Sequence, residues 1–449
     1  QLDYIVNHAE DRVLCYDAAF QPIVDRMRER WTTVEHYICY DSGAHSPAFE
    51  DWIAAEDGDF EWVTGPETDP CMICYTSGTT GNPKGVQYEH RSTVLHAMSG
   101  LQPAAFNFSS ASVMLPVVPM FHAASWGLPY AGAMAGIKFV FSAVNDPAVL
   151  QELIGQHQRG EALVLDQRLV SALRTVLENH ELDQAMVAEM LSLPGEAYLT
   201  EISEVADVDA IHTAREFARK QLADGLFEAL WLRYQANRDL SKQTPYVAEA
   251  EHFARRALQN IALSYLMLSG KSDVLAATLE QFESSDNMTE RLTALAVLVN
   301  SPYEEDKAKA LAAFADHFKD NPLVMDQWFS VQAASSLPGG LARVKALMQH
   351  PAFTLKNPNK VRALVGAFAG QNLVNFHAAD GSGYRFLADL VIELNGFNPQ
   401  IASRQLAPLT RWRKYDSARQ ALMKAELERI RACGELSSDV YEVVSKSLA

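Results

Sequence analysis

The feature that most constrains this chain is a run of apolar residues at helical spacing, which begins near residue 161 and continues for nearly 290 residues. Glycine and proline are sparse in it, and apolar residues recur every three or four positions, as on the buried face of a helix. Short polar or proline-containing turns separate the helical stretches, although no strict repeat period is present. This pattern predicts an all-α superhelical solenoid of helical pairs, similar in kind to HEAT repeats.

The first 154 residues follow a different pattern, in which short apolar runs alternate with helix-like stretches. The apolar runs, which we expect to be strands, are DRVLCYDA (11–18), VEHYICYDSG (34–43), MICYTSG (72–78), SVMLPVVPM (112–120) and GIKFVFSA (136–143). Helix-like stretches occupy 18–30 and 90–100. Strand followed by helix, repeated, predicts an α/β sheet with mostly parallel strands. The acidic stretch 49–62 is expected to be a surface helix and loop rather than a metal site, because no histidine lies near its carboxylates.

The change between these patterns falls between about residues 145 and 162 and predicts two domains, 1–154 and 155–449. The predicted fold class is therefore mostly α, with a partial α/β segment followed by the all-α solenoid. The chain begins with Gln1 rather than Met, which suggests a fragment or a processed product.

Charge argues against nucleic acid and membranes as partners. The formal net charge is −18, and residues 1–154 hold 19 acidic but only 7 basic residues. Nucleic acid or an anionic membrane surface would need clustered lysine and arginine. No uncharged apolar run is long enough to predict a membrane span, and no secretory signal opens the sequence.

The cysteines indicate a reducing compartment, so we expect a cytoplasmic protein. They are scattered and odd in number, too few for a disulfide scaffold: Cys15, Cys39, Cys71, Cys74 and Cys433. Cys71 and Cys74 form a CxxC pair, but they lie in an apolar stretch that reads as a buried strand. Residues three apart in a strand point to opposite faces, so we assign neither a redox site nor a zinc site to the pair.

The string YTSGTTGNPKGV, from Tyr75 to Val86, follows an apolar strand and is rich in glycine, serine and threonine. Such a loop lets backbone N–H groups and hydroxyls converge on phosphate oxygens, and Lys84 adds positive charge. It is not a Walker loop, because the glycine required five residues before Gly-Lys-Ser/Thr is missing. The string predicts binding of a nucleoside triphosphate.

This string resembles the signature of adenylate-forming enzymes, and YIVNHAEDRVLCYD, EHRSTVLHAM and VVPMFHAASWGLPY are similar to medium-chain fatty acyl-CoA ligases. The resemblance implies ATP with magnesium as cofactors. It also implies that the ATP phosphates are held by Thr76, Ser77, Gly78, Thr79, Thr80, Gly81 and Lys84. His122 and Trp126 would line the region where acyl substrate and adenylate meet. Without the resemblance, His122 after an apolar run is more often a core histidine.

Other groups that this family needs for catalysis are missing from the sequence. They are the acidic residue of a Tyr-Gly-x-Thr-Glu string that helps to hold magnesium, an aspartate that binds the ribose, and a lysine on a mobile C-terminal domain. The resemblance stops near residue 150. Binding phosphate without the groups that stabilise a transition state is not catalysis, so we expect no complete ligase site. A partial sheet would also expose strand edges and apolar faces.

Residues from about 158 to 449 resemble the C-terminal domain of bacterial aminopeptidase N, in strings such as LWLRYQANRDLSKQTPY, FHAADGSGYRFLADLV and NPQIASRQLAPLTRWRKYDSARQ. The resemblance implies a helical domain that closes a chamber over a separate catalytic domain. It also implies that Arg404, with Gln400 beside it, reaches toward substrate. The alternative for Arg404 is a salt bridge on a helix surface, which we favour because the rest of the site is absent.

No zinc is expected in this chain, because HExxH with a downstream glutamate is absent. The nearest string is HELDQ (180–184), whose fifth residue is Gln184 rather than histidine. GAMAG (132–136) lies in the ligase-like segment and lacks the glutamate of the aminopeptidase string that it superficially matches.

A chimera of two partial enzymes is the simplest interpretation, and the origin of the junction stays open. We expect a chain without catalytic activity of its own, whose larger domain is a helical scaffold for a partner. One alternative is an acyl-CoA ligase remnant that retains ATP binding. Another is an alanyl aminopeptidase completed by a separate catalytic domain.

Overall fold

A computed structural model describes residues 2–40, 48–54, 56–76, 82–103, 105–114, 123–139, 148–243 and 246–449. The chain forms two compact units, Gln1–Ala143 and Val144–Ala449, here called the α/β unit and the helical unit. The predicted fold class is confirmed, because small sheets occur in the first unit and the second is helical throughout its described residues.

The α/β unit contains three two-stranded sheets within its described residues. Two sheets are parallel and the middle one is antiparallel; in chain order the strands are β1 Val13–Tyr16 with β2 His36–Cys39, β3 Pro70–Thr76 with β4 Lys84–Glu89, and β5 Val113–Met114 with β6 Lys138–Phe139. The helices are α1 Leu2–Ala9, α2 Gln21–Met27, α3 Phe49–Ile53, α4 His90–Gly100, α5 Ala123–Trp126 and α6 Leu128–Ala135. Each of the five predicted runs contains a strand, whereas β4 was not predicted.

The core of the α/β unit is small. It consists of Val6 on α1, Tyr16 on β1, Val24 on α2, Trp31 in the turn that follows α2, and Cys39 on β2. Large apolar side chains remain exposed elsewhere in the unit, including Trp62 and Val63, which are 84% and 90% exposed. On the antiparallel hairpin Ile73 and Val86 are both 41% exposed. This unit therefore leaves much of its apolar surface in contact with solvent.

The strand with the CxxC pair is less buried than the sequence suggested. Cys71 is exposed and Cys74 is half-buried, and both are free thiols. The expectation of a buried strand is wrong: among the residues that the structure describes, β3 pairs only with β4, and Cys71 on it is exposed. The acidic stretch 49–62 begins with α3 and is otherwise irregular and exposed in its described residues.

The helical unit consists of twenty helices in its described residues, most of them packed on their neighbours in the chain. They are α7 Ala148–Gln158, α8 Gln167–Glu178, α9 Gln184–Met190, α10 Glu196–Ile202, α11 Val208–Gly225, α12 Phe227–Gln243, α13 Ala250–Leu266, α14 Ser272–Ser284, α15 Met288–Val299, α16 Glu304–Phe318, α17 Pro322–Ala333, α18 Gly340–Leu347, α19 Pro358–Val361, α20 Ala367–Gln371, α21 Leu373–Phe376, α22 Ser382–Asn395, α23 Pro399–Gln405, α24 Ala407–Thr410, α25 Ser417–Ala432 and α26 Ser438–Leu448. A π-helical turn, Arg362–Gly366, joins α19 to α20.

Side-chain caps fix where many of these helices begin. An aspartate, asparagine or serine side chain accepts a hydrogen bond from a backbone N–H of the first turn at Asp166, Asp183, Asp207, Asn287, Asn321, Asn357, Asn398, Asp416 and Ser437. Each cap satisfies a donor that the helix itself leaves unpaired and stabilises the helix by about 1 kcal/mol. Proline follows three of the asparagine caps directly, where its missing N–H costs nothing.

Helix α7 crosses the predicted domain boundary at residue 154 and belongs structurally to the helical unit. Leu150, Leu153 and Ile154 are at most 8% exposed and are part of the large core of that unit. The helix packs on α11. In the structure the helical unit therefore already includes α7, which precedes the start of the all-α sequence pattern near residue 161.

The first and last parts of the helical unit meet. The N–H of Ala206 donates to the carbonyl of Lys414 at 2.8 Å, and Ala206 also pairs with Tyr415 as an isolated parallel bridge. Beside them, Asp209 on α11 forms an ion pair with Arg419 on α25. We call these five residues the closure contact. The contact joins α11 and the segment just before it to α25 and the turn before it.

No helix in the described part of the chain is long and apolar enough to cross a membrane.

Candidate functional sites

The predicted phosphate loop is the turn of the β3–β4 hairpin. Thr76 and Lys84 are paired residues of the two strands, so the two ends of the loop lie side by side. Lys84 is exposed. The other predicted phosphate contacts lie outside the described residues: Ser77, Gly78, Thr79, Thr80 and Gly81. The hairpin therefore holds one basic residue next to the glycine-rich segment.

Close packing across the hairpin explains one glycine of the motif. A Cβ on Gly85 would lie 2.6 Å from Cδ1 of Ile73, on the facing strand. Tyr75, the strand partner of Gly85, is held by a 2.6 Å hydrogen bond between its hydroxyl and Nδ1 of His8 on α1. Glycine at position 85 thus lets Ile73 and Tyr75 lie across β4, and the hydrogen bond fixes the hairpin to α1.

Of the two predicted acyl-site residues, Trp126 is described and His122 lies outside the described residues. The Trp126 side chain is 61% exposed, and its carbonyl is 3.0 Å from Nε2 of His96 on α4. Ala124, Ser125 and Trp126 form a left-handed turn, with φ angles of 51°, 51° and 57°. Non-glycine residues rarely adopt this conformation, and such strain is concentrated at functional sites.

The predicted aminopeptidase-like contacts Gln400 and Arg404 lie four residues apart on α23, on one exposed face. The opposite face, with Ile401 and Ala402, is buried. Asn398 caps the helix by accepting a hydrogen bond from the N–H of Ile401. Within the described residues Arg404 forms no ion pair, so the surface salt bridge that the sequence favoured is not found there. The side chain is therefore presented to solvent from a rigid helix.

The string nearest to a zinc motif does not form a metal site. His180 is exposed in the turn after α8, and Asp183 caps α9 instead of lying on a helix with the histidine. Among the residues that the structure describes, no group of three histidine, cysteine, aspartate or glutamate side chains is placed to hold a metal ion. GAMAG is part of α6 and the turn after it.

The most prominent cavity of the helical unit was not predicted from the sequence. It has a volume of about 750 Å³ and is lined by residues of α10, α11, α15 and α21 and of the segments between them. Ionisable side chains contributed by α10 and α11 form one cluster in it: Glu196, His212, Arg215, Glu216 and Arg219. The cavity is within the size range of sites for small organic ligands.

Ion pairs organise this cluster. Nδ1 of His212 is 2.8 Å from Oε1 of Glu196, and this hydrogen bond with the carboxylate raises the pKa of His212 despite partial burial. Arg219 donates to both carboxylate oxygens of Glu216 at 2.8 and 3.0 Å. Arg215 donates through Nε to the carbonyl of Pro194 at 2.9 Å. The five side chains keep between 16% and 33% of their surface exposed, so the cluster faces the cavity.

A sequence signal for this cluster exists, although it is weak. His212, Arg215 and Arg219 are spaced by three and four residues, which places them on one face of α11. Glu196 joins them from another helix, and no spacing in the sequence could indicate that contact.

Comparisons with known proteins match the two parts of the chain to different families. The family described as DUF3458_C, a domain of unknown function with ARM repeats, matches residues 143–449. The chain belongs to this family. Residues 1–182 match the family described as AMP-binding enzyme. The two matches overlap over residues 143–182, which include α7 and α8.

The relatives of the DUF3458_C part are aminopeptidases. Aminopeptidase N of Escherichia coli (strain K12) is 40% identical over 298 residues, which are 66% of this chain and 33% of that protein. Aminopeptidase N of Haemophilus influenzae is 36% identical over 299 residues, 67% of this chain and 34% of that protein. The crystal structure of Legionella pneumophila aminopeptidase A in complex with aspartic acid matches with a TM-score of 0.62 at 27% identity, and the match covers 71% of this chain and 40% of that one.

The relatives of the α/β unit are acyl-CoA ligases. The 3-methylmercaptopropionyl-CoA ligase of Ruegeria pomeroyi is 43% identical over 172 residues, 36% of this chain and 30% of that protein. The medium-chain fatty acid CoA ligase of Ectopseudomonas oleovorans is 42% identical over 163 residues, 34% of this chain and 30% of that protein. Both predicted resemblances are therefore confirmed. The chain spans about a third of the length of the curated relatives that it matches.

Proposed function

We propose that this chain has no complete active site and that its DUF3458_C part acts as a helical scaffold. The observation that carries this proposal is the partial coverage of two unrelated enzymes, 33% of an aminopeptidase N and 30% of an acyl-CoA ligase. Catalysis requires reacting groups held together in one site. The part of each enzyme that this chain matches is only about a third of the polypeptide that supplies those groups in the relatives.

Two activity assays test the absence of catalysis. The purified chain would be incubated with an alanyl-arylamide and zinc, and separately with octanoate, ATP, magnesium and coenzyme A. We expect no turnover above the rate in buffer, while E. coli aminopeptidase N and the medium-chain fatty acid CoA ligase of Ectopseudomonas oleovorans serve as positive controls. Turnover at an ordinary enzymic rate of about 1 s⁻¹ or more in either assay would contradict the proposal.

The partner that the scaffold fits best is the catalytic part of a zinc aminopeptidase on a separate chain. The exposed face of α23 supports this. Gln400 and Arg404 lie on one side of this capped helix, and Arg404 forms no ion pair with any described residue. In such a complex Arg404 would reach toward the bound peptide, and the zinc would belong to the partner.

Complementation tests this partner. A piece of E. coli aminopeptidase N that lacks the region matched here would be mixed with the present chain, and alanyl-arylamide cleavage would be measured. We expect the mixture to be faster than the piece alone and Arg404→Ala to remove most of the gain. Arg431→Ala, at another exposed arginine, is the matched control. No gain in rate on mixing would count against the partner.

A second candidate function is nucleotide binding by the α/β unit, and the pairing of Thr76 with Lys84 favours it. This pairing places a positive charge beside the glycine-rich segment, as an ATP phosphate site needs. Calorimetry with magnesium and ATP should detect binding to the intact chain that Lys84→Ala abolishes. Lys138→Ala, at an exposed lysine of β6, should leave it unchanged. Equal heats for the wild type and Lys84→Ala would reject the candidate.

We further propose that the chain consists of two domains, as the sequence predicts, with the boundary before α7 rather than at residue 154. The division of the chain into two compact units at Ala143 and Val144 supports this boundary. Limited proteolysis with mass spectrometry should cut first before α7, because α7 is packed in the helical core, and should leave only the C-terminal piece. Survival of an uncut chain would speak against it.

We also infer a cytoplasmic location. All five cysteines are free thiols, as expected in a reducing compartment. Recovery of the protein from its native cells with an intermolecular or intramolecular disulfide would overturn this inference.

A further inference from the structure

The cavity of about 750 Å³ in the helical unit has a charged part and an apolar part. The ionisable side chains of the cluster come from α10 and α11, while the other lining elements contribute mainly apolar and amide side chains. The apolar contributors include Met267, Leu337, Leu373 and Val374. A ligand that fills this space must therefore combine an apolar body with a group that satisfies guanidinium donors.

The two arginines of the cluster retain donors that the protein does not use. Arg219 donates hydrogen bonds through Nη1 to the carboxylate of Glu216. Arg215 donates through Nε to the carbonyl of Pro194, and its Nη1 is 3.7 Å from the carboxylate of Glu216. Within the described residues, neither arginine donates a hydrogen bond through Nη2. Guanidinium groups bind carboxylates in a bidentate manner, with bonds about twice as strong as those between neutral groups.

We propose that this cavity is a binding site for an amphipathic monocarboxylate, whose carboxylate lies on Arg215 and Arg219 and whose apolar body lies against Leu337, Leu373 and Val374. The volume of about 750 Å³ accommodates a ligand of drug-like size. The free C-terminus of a short apolar peptide and the anion of a fatty acid share this chemistry. This site is distinct from the hairpin of the α/β unit and from the face of α23.

Binding at this site depends on pH, because the charges of the cluster nearly cancel. With His212 neutral, Arg215 and Arg219 are balanced by Glu196 and Glu216. Protonation of His212, whose hydrogen bond with Glu196 raises its pKa, gives the cluster a net positive charge. The remaining titratable group next to the arginines is Tyr265, whose hydroxyl donates to the carbonyl of Leu191 and stays protonated. The carboxylate is therefore bound more tightly at pH 6 than at pH 8.

The first test uses the intact wild-type chain and calorimetry at pH 6 with three probes. They are acetyl-Leu-Leu with a free carboxylate, the same dipeptide as its C-terminal amide, and octanoate. We expect at least one of the two carboxylates to bind, and the amide to bind at least about tenfold more weakly than acetyl-Leu-Leu or not at all. If acetyl-Leu-Leu binds more tightly than octanoate, the natural ligand is a peptide C-terminus; if octanoate binds more tightly, it is a fatty acid. Absence of binding by both carboxylates, or binding of the amide as tight as that of the acid, overturns the proposal.

The second test locates the site with variants whose fold is verified by thermal unfolding. Arg215→Gln and Arg219→Gln should each weaken the bound carboxylate at least about tenfold, because a charge-assisted hydrogen bond is lost. Arg431→Gln removes the same charge from an exposed position of α25 and should change nothing. His212→Gln should abolish the pH dependence while leaving binding detectable. If one arginine variant fails to fold, the other variant and Arg219→Lys decide, and folded variants with wild-type affinity refute the site.

Discussion

Arg419 and Asp209 lie 210 residues apart in the sequence, and Nη2 of Arg419 donates to Oδ2 of Asp209 at 2.7 Å. The same guanidinium donates through Nε to the carbonyl of His377 and through Nη1 to Asp416, each at 2.9 Å. Its side chain is only 11% exposed. One arginine therefore joins α11, the end of α21 and α25, and it is the polar centre of the closure contact.

Replacing this arginine should destabilise the helical unit strongly. Arg419→Met leaves the His377 carbonyl and two carboxylates without their partner, and we expect the free energy of unfolding to fall by about 3 kcal/mol. Urea titration followed by far-UV circular dichroism measures the change. Arg431→Met, in the same helix but exposed, should stay within about 0.5 kcal/mol of the wild type. A similar small effect for Arg419→Met would mean that the closure contact is energetically unimportant.

His377 should make the helical unit less stable in mild acid. Burial, with a smaller contribution from the charge of Arg419, lowers the pKa of His377 from 6.5 to about 3. Below pH 6.5 the unfolded chain binds a proton that the folded chain does not, so this residue removes stability as the pH falls toward 3, by up to about 1.4 kcal/mol per pH unit.

The measurement for His377 is urea unfolding at pH 7 and pH 5. The loss of stability between these two values should be smaller by roughly 2 kcal/mol in His377→Gln than in the wild type. His180→Gln, at an exposed histidine, should keep the wild-type dependence. Identical pH profiles for the wild type and His377→Gln would show that position 377 does not carry the effect.

Helix α7 should contribute to the stability of the helical unit although it precedes the all-α sequence pattern. Leu153 is 1% exposed in the large core, so Leu153→Ala should lower the free energy of unfolding of that unit by about 2–5 kcal/mol. Leu232→Ala, at a side chain that is 68% exposed, should have an effect below about 0.5 kcal/mol. Chemical denaturation of the intact chain tests both. An unchanged helical transition in Leu153→Ala would separate α7 from this core.

The exposed apolar face of α4 should promote aggregation of the α/β unit. Leu95 is 56% exposed, so Leu95→Asp should increase the soluble yield and change the stability of the unit by no more than about 0.5 kcal/mol. Ala97 lies two residues further along and is 1% exposed, so Ala97→Asp should destabilise the same helix by burying a charge. Light scattering and thermal unfolding distinguish the two variants. Greater scattering by Leu95→Asp than by the wild type would contradict this explanation.

Apolar spacing was sufficient to predict the helices of the second unit. In α8 Val170, Leu173 and Leu177 are buried, because residues three and four apart share a face. Polar caps such as Asp166 then mark where a helix starts. Apolar spacing and capping residues are properties of a short stretch of chain, so they can be recognised in a single sequence.

The hairpin was harder to predict because its second strand lies inside a phosphate-loop motif. The phosphate-loop motif includes the first residues of the segment Lys84–Glu89. The backbone of this segment nevertheless pairs with β3 and so gains the hydrogen bonds that a strand needs. The exposure of Cys71 also escaped prediction. An apolar strand sequence indicates burial only if other layers are present to cover it, and within the described part of this unit β3 pairs with β4 alone.

Contacts between side chains of different helices could not be predicted at all. The pairing of His212 with Glu196 and of Asp209 with Arg419 depends on how the solenoid curves. Curvature accumulates from small rotations between successive helix pairs, which no local pattern encodes. The cavity cluster and the closure contact were for this reason found only in three dimensions.

The closure contact also has a consequence for synthesis on the ribosome. Asp209 emerges 210 residues before Arg419, which at about 5–20 residues per second is a delay of roughly 10–40 s. Until then α11 can pack on its neighbours in the chain but not on α25. The growing helical unit therefore lacks the contact between α11 and α25 until translation has nearly finished.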